Sequence, residues 1–175
     1  MAHINTTFGG AESNSYVSIA SALDYAEHNA FSGGWSAYSS AIREKSLITA
    51  TALLDTWVDW YGSKVSDEDV QALRWPRYSV IDRDGYEFDS DKIPVWLKNA
   101  TTEFAFIIGN GATDPFAAPD TAGFKRMKVG SLELEVDSID RDAFAGLPDK
   151  VRAIVEPYGK VRNKGGSGTA TLVRT

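Results

Sequence analysis

The sequence predicts a mainly α protein, a small helical bundle with one or two β-hairpins and flexible arms at its N- and C-termini. Three observations lead there. Apolar residues recur at helical spacing in four separate stretches, alternation of period two is confined to short segments bounded by turn residues, and both ends are built from small, polar and glycine residues. With 175 residues, 43% hydrophobic and 11% aromatic, the chain has enough apolar material for one core.

Residues 1–15, with Gly9-Gly10 and Asn14-Ser15, lack core-forming side chains and read as an N-terminal arm. Ser18 is the expected N-cap of a helix from 19 to about 28, because Ile19, Ala22, Leu23 and Ala26 fall on one face. After the Ser32-Gly33-Gly34 break, Leu47, Ala50, Leu54, Trp57, Val58 and Tyr61 keep helical spacing and predict a long helix over 41–61. Ser66 with Asp69 resembles a capping box opening a short helical turn that Pro76 ends.

Val80-Ile81, the Asp82-Arg83-Asp84-Gly85 turn and Tyr86-Glu87-Phe88 predict a small hairpin or an ordered loop. Pro94 suits the first turn of a third helix, whose stripe of Leu97, Ala100, Phe104, Ile107 and Ile108 stops at Gly109-Asn110-Gly111. Residues 111–123 read as an exposed connection. A β-hairpin near 124–136 is expected, since Leu132, Leu134 and Val136 alternate with acids and Gly130-Ser131 suits a two-residue turn. Pro148 opens a last helix with Val151, Ile154, Val155 and Tyr158, closed by Gly159. The helical domain is thus expected over 16–159, followed by a C-terminal arm, 160–175, with a glycine joint and a strand-competent tip. No repeat or heptad array is visible.

Charge and composition narrow the function. The 24 acids outnumber the 18 bases, a net charge of −6, which disfavours a polyphosphate partner at long range. Having no cysteine, the chain has no disulfide, thiol nucleophile or thiolate zinc site. The N-terminus lacks the pattern of a signal peptide, and no run approaches the roughly 20 apolar residues of a membrane span.

Candidate chemistry is sparse. His28, with Asp24 and Glu27 nearby, lacks a third metal ligand, and His3 lies in the arm; a solvated helix end explains His28 more simply. Asp82, Asp84, Asp89 and Asp91 miss the order of a calcium loop and read as turn formers. The Lys164-Gly165-Gly166-Ser167-Gly168 run reverses the phosphate-loop order and reads as a hinge. No nucleophile elbow or isolated acid pair points to an enzyme, so none is expected, nor a cofactor. Trp57, Trp60, Trp75 and Trp96 are potential base-stacking rings, but only Trp75 is flanked by bases, Arg74 and Arg77, and core or interface packing is the better account.

Several stretches together resemble a family of tailed-phage proteins. They are Asn14-Ser15-Tyr16-Val17-Ser18 opening a helix, Ala72-Leu73-Arg74-Trp75-Pro76-Arg77, and Asp82-Arg83-Asp84-Gly85-Tyr86 through Ile93-Pro94 to Lys98-Asn99-Ala100. Lys128-Val129-Gly130-Ser131-Leu132-Glu133 and the terminal Leu172-Val173-Arg174 fit it too. Members sometimes carry the label DnaT-like single-stranded-DNA-binding protein, whereas their setting among head and tail genes implies head-to-tail connector adaptors of the neck.

The resemblance implies a virion protein assembled in the host cytoplasm, a ring of twelve subunits beneath the portal that links capsid to tail and lines the DNA channel. Its implied partners are the portal protein, other neck or tail-completion proteins and further copies of itself, with duplex DNA passing without specific binding and no membrane involved. The C-terminal arm is the expected portal-docking element, through Lys160, Arg162, Lys164, Leu172, Val173 and Arg174. In the alternative, a single-stranded-DNA-binding replication accessory protein, Arg74, Trp75 and Arg77 would contact the strand. The acidic composition favours the adaptor.

Overall fold

The computed structural model describes residues 3–30, 34–67, 69–110, 127–129, 132–134 and 147–162. It is mainly helical. Four helices, α1 (Ile19–Glu27), α2 (Ser40–Trp57), α3 (Val95–Gly109) and α4 (Asp149–Val155), carry the body. Short strands complete it: β1 (Val58–Trp60), β2 (Ser63–Lys64), β3 (Arg77–Tyr78), β4 (Met127–Val129), β5 (Leu132–Leu134) and β6 (Gly159–Val161). They pair antiparallel as β1 with β6, β2 with β3 and β4 with β5.

Helix α3 is central, packing against α2, α1 and α4. Its buried Leu97, Ala100, Phe104 and Ala105 meet a core of Leu47, Ala50 and Leu54 from α2, Ala22 and Ala26 from α1, and Val151 and Val155 from α4. Alanines at these positions let backbones approach closely. Thr51 and Thr101, also buried, return their hydroxyls to the carbonyls of Leu47 and Leu97, so neither enters the core unsatisfied. Ser18 caps α1 as expected, accepting from the Ser21 N–H, and Ser39 does the same for Ile42 in α2.

Four expectations are corrected. The long helix ends at Trp57, not 61, because Val58 and Trp60 turn alternately inward and pair with Val161 and Gly159. The expected turn near 66 is capped by Asp67, whose carboxylate accepts from the Val70 N–H and whose carbonyl accepts from Gln71; Ser66 is not the cap. Gly159 does not close a helix. The last helix ends at Val155, a 3-10 turn follows over Glu156–Tyr158, and Gly159 starts β6, where a Cβ would lie 2.5 Å from a methyl of Val58. Pro94 and Pro148 stand at N-cap positions, one residue before the first helical turn.

The hairpin expected near 124–136 is present as β4 and β5, with Val129 opposite Leu132; its turn residues lie outside the described residues, as does the connection 111–123. Residues 80–88 form an ordered loop with a single bridge, Ile81 to Glu87, turned at Gly85 with φ +89°. Among the described residues 3–15 there is no helix or strand. This stretch closes through Asn5 and Asn14 and is fastened to the body, the Ile4 N–H donating to Glu44 at 2.6 Å and the Ala72 N–H to Gly10.

Candidate functional site

Two of the stretches that carry the resemblance meet at the end of α2. Tyr16 is buried, and its hydroxyl donates to the carboxylate of Asp55 while accepting from the Trp75 N–H at 3.3 Å. Asp55 also accepts from Trp60 Nε1 at 3.1 Å and from the Arg74 N–H at 3.0 Å. Burial pushes the Asp55 carboxyl above the usual carboxylate value, and these three donors oppose the shift. The same burial, reinforced by the neighbouring carboxylate, holds the Tyr16 phenol well above its ordinary value.

Arg77 completes the junction. It is only 9% exposed, and its guanidinium donates to the carbonyls of Tyr61 (2.6 Å), Gly62 (2.6 Å), Arg74 (3.1 Å) and Trp60 (3.3 Å). The planar fork matches several fixed carbonyls at once, a task a lysine cannot perform. Gly62 lets the chain come this close: at φ +67°, a Cβ there would sit 2.0 Å from the Tyr78 carbonyl oxygen.

An aromatic cluster lies behind it. Trp75, 1% exposed, stands edge-on to Trp60 and Trp96 at 6.0 and 5.3 Å, and Trp96 stacks on Tyr158 at 4.0 Å, with Phe88 beyond. Three of the four rings weighed as base-stacking platforms, Trp60, Trp75 and Trp96, therefore join β1, the 75–77 segment, α3 and the last 3-10 turn, and Trp57 is half-buried against the core. Of the three proposed strand contacts, Trp75 and Arg77 face inward and Arg74 alone is exposed. The Arg77 guanidinium and the Asp55 carboxylate are engaged within the chain, whereas the buried Trp75 Nε1 meets no hydrogen-bond partner among the described residues.

Sequence reasoning missed Asp55 and Gly62, and it named Tyr16 only as part of a motif. One signal existed for Asp55, which is the single charged residue between Lys45 and Asp59 in an otherwise apolar and hydroxylic run.

Several other titratable groups also make contacts within the chain. Glu103, 2% exposed, accepts from Tyr25 and Asn29 at 2.8 Å each and pairs with Lys150 at 2.7 Å, tying α1, α3 and α4 together. Asp82 accepts from the N–H groups of Asp84 and Tyr86, the turn-forming role expected of it, and Asp89 pairs with Lys92. His28 is exposed, its ring donating to the Asp24 carbonyl. Among the described residues no group of three or more His, Asp or Glu side chains is placed to hold a metal ion, and no helix is long and apolar enough to cross a membrane. A groove of about 320 Å³ runs between α1 and α3, lined by Val17, Asp24, His28, Lys98 and Asn99 among others.

The residues assigned to a docking arm divide into two sets. Lys160 lies in β6 opposite Asp59, and the Arg162 guanidinium grips Asp59 with both carboxylate oxygens while its N–H donates to the Trp57 carbonyl at 2.8 Å. These two belong to the body, because strand pairing and a bidentate ion pair hold them there. Lys164, Leu172, Val173 and Arg174 lie outside the described residues.

A family model described as "Putative DnaT-like ssDNA binding protein" matches residues 2–175. No curated protein and no solved structure matches.

Proposed function

The chain belongs to the DnaT-like ssDNA-binding family, and within that family we propose that it is a structural, non-catalytic subunit of a tailed-phage neck. In this reading copies of it form a ring beneath the portal that joins head to tail. The observation that carries it is the placement of Trp75 and Arg77: the ring and the cation best suited to hold a single strand are enclosed in the core. A single-strand binder needs exposed rings beside a basic groove. Acidic charge adds support, since a channel lined by such subunits repels duplex DNA and lets it pass. The stretches that resemble connector adaptors act as the fastenings of a rigid subunit, which a load-bearing ring requires. Lys164, Leu172, Val173 and Arg174 remain the candidate portal contacts, with Lys160 and Arg162 at the arm's root.

The family description favours a second reading, binding of single-stranded DNA. Protein mass spectrometry and imaging of purified particles separate the two. The adaptor reading expects the chain at the neck in multiple copies per particle, and oligonucleotide affinity that is weak at physiological salt. A chain missing from particles that binds oligonucleotides tightly, with a steep salt dependence, would overturn it.

A further inference from the structure

A protrusion and a concavity on the described surface match each other in charge. Residues 83–87 are exposed in succession, so the turn at Asp82–Gly85 stands clear of the body. It is stiff. The Gly85 N–H donates to the Asp82 carbonyl at 3.2 Å, the Asp82 carboxylate accepts from the N–H groups of Asp84 and Tyr86, and Phe88 anchors the base of the loop against Trp96 and Tyr158. Its tip sets a base beside an acid, Arg83 and Asp84, whose charged groups meet no partner among the described residues.

The concavity is the groove of about 320 Å³ between α1 and α3. The Tyr25 hydroxyl, donating to Glu103 at 2.8 Å, holds the two helices side by side, and buried Val17 and Thr102 form part of the floor. The walls carry opposite charges. Helix α1 brings Asp24, with the His28 ring 4.0 Å from its carboxylate, and α3 brings Lys98, whose ammonium meets no partner among the described residues. From Ser21 to His28 the α1 wall runs about 10 Å. The two backbones of a tight turn lie about 5 Å apart, which leaves room for side chains against both walls.

Exposed apolar groups point to the same pairing. Tyr86 (74% exposed) and Val95 (71%) are the two most exposed large hydrophobic side chains among the described residues, so neither covers the other within a subunit. Tyr86 lies two residues beyond Asp84, and Val95 one helical turn before Lys98, separations of about 6 Å in both cases. A contact between Asp84 and Lys98 of two copies brings Tyr86 within reach of Val95, and burying the two together is favourable.

We infer that the turn of one copy seats in the α1–α3 groove of the next, with Asp84 against Lys98, Arg83 against Asp24 and Tyr86 over Val95. Turn and groove are different parts of the subunit, so the contact is head-to-tail and repeats from copy to copy, closing into a ring where the rotation permits. The inference rests on the ring proposed above and supplies the contact that joins its members. Two opposite charge pairs fix which way the turn enters, because the reversed entry sets like charges together.

Charge reversal in the full chain tests this. Sedimentation velocity at rising concentration should show the wild type associating beyond dimers, at least tenfold more weakly on Asp84→Lys or on Lys98→Glu. An equimolar mixture of the two variants should recover the association, because each variant's turn then finds an opposite charge in the other's groove. Arg83→Glu mixed with Asp24→Arg repeats the test at the second pair, and circular dichroism checks every fold. A wild type that stays monomeric at millimolar concentration, association that stops at dimers, or a mixture no stronger than its components would each overturn the inference. So would folded variants that associate as the wild type does, since another surface would then join the copies. Whether the chain is present at the neck of particles is measured separately, so failure of this contact and failure of the neck reading are told apart.

Discussion

Tyr16 and Asp55, 39 residues apart, share a hydrogen bond inside the body, and through it the N-terminal stretch is locked to the end of α2. Tyr16→Phe removes a donor to the carboxylate and the acceptor of the Trp75 N–H. It should destabilise the protein by about 1–3 kcal/mol in urea unfolding. Asp55→Ala should cost more, because it strips three donors of their acceptor at once. Equal losses for the two would show that the carboxylate is not the hub.

The same carboxylate sets one pH dependence. Its folded value is raised, chiefly by burial, so the stability it contributes is fully present below the ordinary carboxylate value of 3.8 and is lost as pH rises through the folded value. Exposed Asp59 behaves oppositely: the hydrogen bond from Arg162 lowers its value, so its contribution is present above 3.8 and is lost as pH falls through the folded value. The stability difference between wild type and Asp55→Asn should therefore shrink from pH 3 to pH 7, and that for Asp59→Asn should grow. Urea midpoints at both pH values decide the signs.

Two glycines separate backbone strain from crowding. Gly62 and Gly85 both have positive φ, but a Cβ on Gly85 meets nothing within 4 Å, whereas one on Gly62 strikes the Tyr78 carbonyl and Val80. Gly85→Ala should cost about 1–2 kcal/mol, the penalty of a left-handed alanine. Gly62→Ala should exceed it and disturb the β2–β3 pair, visible as altered amide exchange at Tyr78.

Trp75→Ala should cost about 3–5 kcal/mol, as expected for emptying a core tryptophan site. Thermal unfolding measures the loss directly. If instead Trp75→Ala left the melting temperature unchanged and altered only oligonucleotide affinity, the ring would be a contact surface after all.

Tyr25 supplies an alkaline signature. Burial first, then its hydrogen bond to Glu103, push the phenol up from 10.0 to about 12, so its contribution to stability holds at ordinary pH and is lost as pH rises through about 12. Near-ultraviolet absorbance should show two tyrosines titrating late, Tyr16 and Tyr25, and Glu103→Gln should bring the Tyr25 titration alone to lower pH.

The helices were legible because periodicity reports burial directly: the stripes Ile19-Ala22-Leu23-Ala26 and Leu97-Ala100-Phe104 are core faces. The end of α2 was not, since Trp57, Val58 and Tyr61 fit helical spacing as well as they fit a helix followed by a strand. What decided between them was β6, about a hundred residues away, and no local pattern reports a partner at that distance. The junction was half legible. Tyr16, Trp75 and Arg77 stood out as motif residues, but their inward direction depends on Asp55 and on four carbonyl groups, and carbonyls are anonymous in a sequence. Lys160 and Arg162 were assigned to the arm on charge alone, and charge does not distinguish a free cation from one gripping Asp59.

The antiparallel pairing of β1 with β6 also dictates an order of events during synthesis. Asp59 and Arg162 are 103 residues apart, and closing so long a loop is a late and entropically demanding step. A nascent chain can form α1, α2 and α3 early, yet the edge of β1 stays bare and Trp96 lacks Tyr158 until translation has passed Arg162. The ribosome thus holds the subunit in an unfinished state, and maturation of its surface coincides with completion of β6. A chain interrupted before that point is left with an open strand edge and exposed indole rings, the features by which quality-control proteases and chaperones recognise their clients.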